Sequence, residues 1–193
     1  MENTFVLEMK GISKSFPGVK ALDHVDLQVR PGTVHMMMGE NGAGKSTLMK
    51  ILNGLYAKDE GKIIYKGQEV VFHNPQRALD AGIAMIHQEL SVVPEMTIGE
   101  NIFLGCEPRK GAFVDYKKLY QDAQALLDKL NVPYDPHEKE GNLTVSGMQQ
   151  IEIAKAISRG ASVVVMDEPT SSLTTKEVEI LFKQIAELKA QNV

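Results

Sequence analysis

Apolar and polar residues alternate by two over residues 5–9 and 25–29, which predicts strands, and Pro31-Gly32 then turns the chain. The run Thr33-Val34-His35-Met36-Met37-Met38 is apolar almost throughout and predicts a strand buried on both faces, its methionines packing rather than forming a binding surface. A glycine-rich loop follows, and residues 45–52 read as a helix. Residues 61–65 and 70–72 predict a second strand pair, joined through Lys66-Gly67-Gln68. Between 115 and 130, Leu119, Ala123, Leu126, Leu127 and Leu130 recur at spacings of three and four, the mark of an amphipathic helix. Residues 131–141 hold two prolines and several charges and read as a loop. A helix opens at Ser146, with Met148, Ile151, Ala154 and Ile157 in its apolar stripe. Residues 162–166 form a short β-branched run suited to a central parallel strand. The last predicted helix, 176–189, places Val178, Leu181, Phe182, Ile185 and Leu188 on one side. Strand–helix alternation at both ends, with helices between, predicts an α/β core carrying a helical insertion. An α/β unit normally returns to its sheet, and Gln191-Asn192-Val193 does not, so a C-terminally truncated chain is expected.

Composition narrows the class. With 193 residues, 43% hydrophobic and 24% charged, the chain suits one compact domain with an ordinary core. Its net charge of −4 gives no support to a nucleic-acid partner, which a basic excess would attract. The single cysteine, Cys106, has no partner in the chain and no companion pattern for a nucleophile, which fits a reducing, cytosolic setting. No stretch reaches the roughly 18 apolar residues that span a bilayer. The first residues, Met1-Glu2-Asn3-Thr4, lack the basic start and apolar run of a secretory signal.

The strongest chemical signal is Gly39-Glu40-Asn41-Gly42-Ala43-Gly44-Lys45-Ser46-Thr47, a match to G-x-x-x-x-G-K-S/T between a predicted strand and a predicted helix. Glycines at 42 and 44 let the backbone curl so that successive N–H groups face phosphate oxygens. The helix beginning near Lys45 adds its positive end. Lys45 supplies a point charge to the β- and γ-phosphates, and the Ser46 hydroxyl suits Mg2+. The second signal is Val163-Val164-Val165-Met166-Asp167-Glu168, a hydrophobic strand ending in acids at the edge where ligands bind in parallel sheets. Asp167 suits Mg2+ through its water shell, or else caps the turn before Pro169. Glu168 suits the orientation and deprotonation of an attacking water.

Together with Leu143-Thr144-Val145-Ser146-Gly147-Met148-Gln149-Gln150 and Asp167-Glu168-Pro169-Thr170-Ser171-Ser172-Leu173, these motifs resemble the ATP-binding-cassette (ABC) ATPases over essentially the whole chain and in the family's order. The resemblance implies a P-loop nucleotide hydrolase core with an antiparallel β subdomain and a helical subdomain. It divides the single domain into a core at 1–88 and 159–193 and a helical, signature-bearing subdomain at 89–158. It implies ATP and Mg2+ as ligands. The nucleotide set is then Phe16, stacked on adenine, the whole loop from Gly39 to Thr47, and Thr144, Ser146 and Gly147 of the signature. Gln88 is expected at Mg2+ and the attacking water, with Lys45 and Glu168 as the other catalytic groups. The signature departs from the usual L-S-x-G-Q: Thr144 keeps a hydroxyl, but Ser146 puts a side chain where backbone should approach the γ-phosphate. Ser146 and Gln149 also have capping-box spacing, so a plain helix cap reads equally well there. None of the five histidines lies beyond Asp167, so the family's switch histidine is not in this chain.

Met38 to Lys50, Ile86 to Leu90 and Gly99 to Gly105 resemble the monosaccharide importers, and Thr144-Val145-Ser146 with Ile151 to Ala156 resembles their galactose and methyl-galactoside branch. This implies the N-terminal cassette of an ATPase subunit on the cytoplasmic face of the cell membrane. Its partners would be a second cassette bound head to tail, a transmembrane sugar permease and, indirectly, a periplasmic or lipid-anchored sugar-binding protein, with no nucleic acid. Two alternatives remain: a non-transport cassette ATPase acting on ribosomes or DNA, and a fragment that binds nucleotide without turnover. The isolated chain is expected to be nearly inactive.

Overall fold

In the computed structural model of the chain, the described residues are 5–87, 91–167, 169–170 and 173–193. The elements run β1 (Leu7–Phe16), β2 (Val19–Val29), α1 (Lys45–Leu52), β3 (Glu60–Tyr65), β4 (Gln68–Val70), α2 (Pro75–Ala81) and β5 (Ile83–Ile86). Then come α3 (Ile98–Phe103), β6 (Arg109–Lys110), β7 (Phe113–Val114), α4 (Tyr116–Lys129), a 3-10 turn (Glu140–Asn142), α5 (Val145–Ser158), β8 (Val163–Met166) and α6 (Thr175–Ala190). Two compact units result: Met1–Met85 with Ala161–Val165 and Leu188–Val193, and Ile86–Gly160 with Met166–Glu187.

The first unit is built on an antiparallel sheet of order β2-β1-β3-β4. Strands β1 and β2 extend well past the predicted 5–9 and 25–29, into residues whose polar side chains hide the pattern. Their ladder is interrupted beyond Met9, where Asp26 accepts the Gly11 N–H at 2.6 Å and satisfies a donor that the shifted register leaves out. The β3–β4 turn is tighter than the expected three-residue link. Lys66 (φ 49°) and Gly67 (φ 80°) make a two-residue hairpin, and β4 ends at Val70 instead of covering 70–72. Leu7, Met9 and Ile12 of β1 pack with Leu48, Ile51 and Leu52 of α1 in one apolar cluster. Val163 of β8 joins that cluster, and Ser162 donates to Gly82 O at 2.8 Å, alongside β5.

A whole expected strand is also missing from this unit. Residues 33–38 are not a strand, and Val34, Met36 and Met38 are 55%, 72% and 85% exposed. No backbone hydrogen bond joins 34–38 to another described residue, so no ladder holds the segment extended. Apolar composition specifies burial only where a neighbouring strand lies opposite.

The second unit packs α3, α4 and α5 around Ile98, Ile102, Leu127, Ile151 and Ala154. Helix α3 is short but carries a complete capping box: Thr97 Oγ1 accepts the Glu100 N–H at 3.2 Å, and Glu100 accepts the Thr97 N–H at 2.8 Å. Asp115 caps α4 by accepting from Lys118 N at 3.0 Å. On α6, Leu181 and Leu188 are buried as expected, whereas Phe182 is exposed and Gln184 is buried in its stead. Among the described residues no helix is long and apolar enough to cross a membrane.

Candidate nucleotide-binding site

Gly44 sets the start of α1. It has φ 89° and ψ −1°, and a Cβ there would stand 2.6 Å from Ala21 O and 2.7 Å from Leu22 Cδ2 on β2. Left-handed backbone and close approach together leave room only for glycine. The first intrahelical bond runs from Leu48 N to Gly44 O at 2.9 Å, so the N–H groups of Lys45, Ser46 and Thr47 have no carbonyl within the helix. No side chain caps this end and no acid stands in its first turn. The donors and the positive end of the helix dipole therefore stay available to an anion.

Lys45 is folded back over the loop, and its Nζ donates to Gly39 O at 2.6 Å and Glu40 O at 2.9 Å. Ala43 N donates to Glu40 O at 3.2 Å, which closes the loop on itself. Gly42, with φ 87° and open space where a Cβ would stand, leaves one wall bare. Asn41, Gly42, Ala43 and Ser46 are exposed, while Gly44 is buried against β2. The whole segment Gly39 to Thr47 is thus one loop with an ammonium lying across it. Phe16, at the end of β1, is half-buried and meets Tyr56 edge-on at 5.4 Å between centroids and 72° between planes.

The signature segment lies in the second unit. Thr144, with extended backbone (φ −69°, ψ 163°), is the N-cap of α5, and its Oγ1 accepts the Gly147 N–H at 3.2 Å. This corrects the Ser146–Gln149 capping box: Ser146 is already the second helical residue and is buried, and a cap must sit outside the helix. Gln149 instead donates from Nε2 to Pro169 O at 2.9 Å, tying α5 to the segment that follows Asp167. Gly147 is tightly placed, since a Cβ would stand 2.8 Å from the Tyr134 hydroxyl and 3.1 Å from Leu143 Cβ. Asp167 follows β8 and donates its N–H to Ile86 O at 3.1 Å. Gln88, Glu168, Ser171 and Ser172 lie outside the described residues.

Sequence reasoning gave no hint of Glu140. It is 0% exposed, and neither carboxylate oxygen has a hydrogen-bond partner among the described residues. Burial pushes its pKa up to about 7, with repulsion from Glu152 adding and the Lys155 ammonium subtracting. A glutamate in a charged loop looks solvated, and only packing of the turn at Glu140–Asn142 ahead of α5 reveals otherwise.

A glycine-built phosphate loop with a lysine across its mouth, on an α/β unit beside an antiparallel sheet, defines a nucleotide-binding cassette. The profile of the family described as ABC transporter matches residues 22–171, and the chain belongs to that family. Over 190 residues, 98% of the chain, it is 58% identical to the galactose/methyl galactoside import ATP-binding protein MglA of Sodalis glossinidius. It is 55% identical to MglA of Escherichia coli K12 over 185 residues, 96% of the chain. The chain spans only 38% and 37% of those two relatives' lengths. Its fold matches the crystal structure of the ADP conformation of MJ1267, an ATP-binding cassette of an ABC transporter, with TM-score 0.82 and 27% identity over 98% of this chain and 78% of that one.

Proposed function

We propose that the chain is the ATP-binding, ATP-hydrolysing cassette of a subunit that powers import of a galactose-type monosaccharide through a membrane permease, working at the cytoplasmic face. The observation that carries this reading is 58% identity, across 98% of the chain, to a galactose/methyl galactoside import ATP-binding protein. The geometry supports it at the phosphate loop. There the uncapped first turn of α1, the bare wall at Gly42 and the Lys45 ammonium form a receptor for the triphosphate of ATP.

In this reading the amides of residues 42–47 and Lys45 bind the β- and γ-phosphates, and Phe16 stacks on the base. Thr144, Ser146 and Gly147 meet the γ-phosphate of a second cassette bound head to tail. The exposed Ser46 hydroxyl is a hard oxygen donor of the kind Mg2+ takes, and the family resemblance adds Gln88 and Asp167 as its expected companions. Mg2+, when bound, neutralises charge on the phosphates. Glu168 takes the proton of the attacking water, and Gln88 orients that water.

Reconstituting the full-length subunit with its permease tests the proposal. Lys45→Ala is expected to raise the Kd for Mg–ATP at least about 100-fold, because charge-assisted contacts to phosphate are lost, and to stop galactose uptake. Glu168→Gln is expected to keep nucleotide binding and stop turnover. Normal uptake by Lys45→Ala, or co-purification with ribosomes and not with a permease, contradicts the reading.

A further inference from the structure

We infer that Tyr56 is a positioning residue for the nucleotide base, holding the plane of Phe16 in register with the phosphate loop. The inference rests on the reading of Phe16 as the base platform. Phe16 is the last residue of β1, immediately before the Pro17-Gly18 turn and opposite Val19. An aromatic ring at such a hairpin end is free to rotate unless something fixes it, and freezing it on ligand binding costs affinity.

Two contacts hold the ring here, and Asp59 anchors one of them. Tyr56 meets the ring edge-on at 5.4 Å, an arrangement that does not cover the ring as a parallel stack would. Lys14 places its ammonium 5.6 Å from the Phe16 centroid, and Asp59 in turn holds that ammonium at 2.7 Å. The Asp59 carboxylate also accepts the Ser15 N–H at 2.7 Å, while Asp59 N–H donates to Ser13 O at 2.9 Å. The segment after α1 is therefore stitched to the last four residues of β1.

Tyr56 is itself anchored to α1. Its N–H and that of Leu55 both donate to Lys50 O, at 3.2 and 2.9 Å, and its ring packs on the apolar cluster that contains Leu48, Ile51 and Leu52. Lys50 belongs to the helix whose first residue is Lys45. The opposite end of α1 is tied to the same hairpin, because Gly44 sits against Ala21 and Leu22 of β2, and Leu22 pairs with Lys14. One helix thus carries the phosphate loop at its N-terminus and the support of the base platform just past its C-terminus.

The test titrates Mg–ATP and Mg–tripolyphosphate, which has no base, into wild type, Phe16→Ala, Tyr56→Ala and Tyr56→Phe by calorimetry. Tyr56→Ala is expected to weaken ATP about three- to ten-fold, the scale of one aromatic pair, with tripolyphosphate affinity unchanged. Tyr56→Phe is expected to restore ATP affinity. If Phe16→Ala weakens ATP and Tyr56→Ala does not, the positioning role is overturned while the platform stands. If neither matters, the platform reading itself falls. Equal losses for ATP and tripolyphosphate in Tyr56→Ala mean general damage to the loop and also overturn the inference.

Discussion

Helices α1 and α5 each start beside a glycine pressed against a neighbour, but they treat their free amides in opposite ways. At α1 the glycine is outside the helix in left-handed backbone, no side chain caps the turn, and three N–H groups are left without helical partners. At α5 the glycine is inside the first turn, and Thr144 takes its N–H at 3.2 Å. The first arrangement gives up local stability and keeps its donors for an anion. The second keeps stability and spends a donor on itself, so any phosphate there competes with a hydroxyl. A motif's residues point to an anion; the cap tells how many donors stand free for one.

Substitutions that swap these properties give graded outcomes. The largest effect belongs to Gly44→Ala, which puts a Cβ 2.6 Å from Ala21 O in a left-handed residue. We expect a loss of about 2–5 kcal/mol in urea unfolding, together with loss of Mg–ATP binding. Second is Glu140→Gln, on the α5 side. The buried carboxyl keeps its proton in the folded chain at pH values where the unfolded chain, with a value near 4.5, has lost it. Stability should therefore fall as pH rises from about 4.5 to about 7. The amide has no charge to bury, so Glu140→Gln should flatten that slope and gain on the order of 1–3 kcal/mol at pH 8. A wild-type profile that rises over this range would contradict the buried state. Third, Gly147→Ala should cost about 1–2 kcal/mol by clashing with the Tyr134 hydroxyl at 2.8 Å, and Tyr134→Phe should recover part of it. The smallest effect is Thr144→Ala, about 1 kcal/mol for the lost cap, restored by Thr144→Ser.

What could be read beforehand followed the same division. The loop at 39–47 and the start of α1 were legible because Gly44 is dictated by backbone geometry, and the helices at 115–130 and 176–189 because their periodicity is long. Residues 33–38 misled because a strand needs a partner that composition cannot name. The rest of β1 and β2 was hidden because polar residues interrupt the alternation: Lys20 and Asp23 pair on the surface, Asp26 bonds across the hairpin to Gly11, and Lys14 pairs with Asp59 beyond it. The cap of α5 was misplaced by two residues because two hydroxyl residues, Thr144 and Ser146, crowd one turn, and only backbone angles decide which stands outside the helix. The aromatic contact of Phe16 with Tyr56 spans 40 positions and no local pattern encodes it.

The most direct test of the phosphate-loop claim is a map of backbone amide shifts by NMR on adding Mg–ATP, or a non-hydrolysable mimic, to the protein. The account predicts the largest shifts at Gly42, Gly44, Lys45, Ser46 and Thr47, and their loss in Lys45→Ala. Nucleotide binding that leaves those amides unmoved and perturbs another part of the molecule would contradict it.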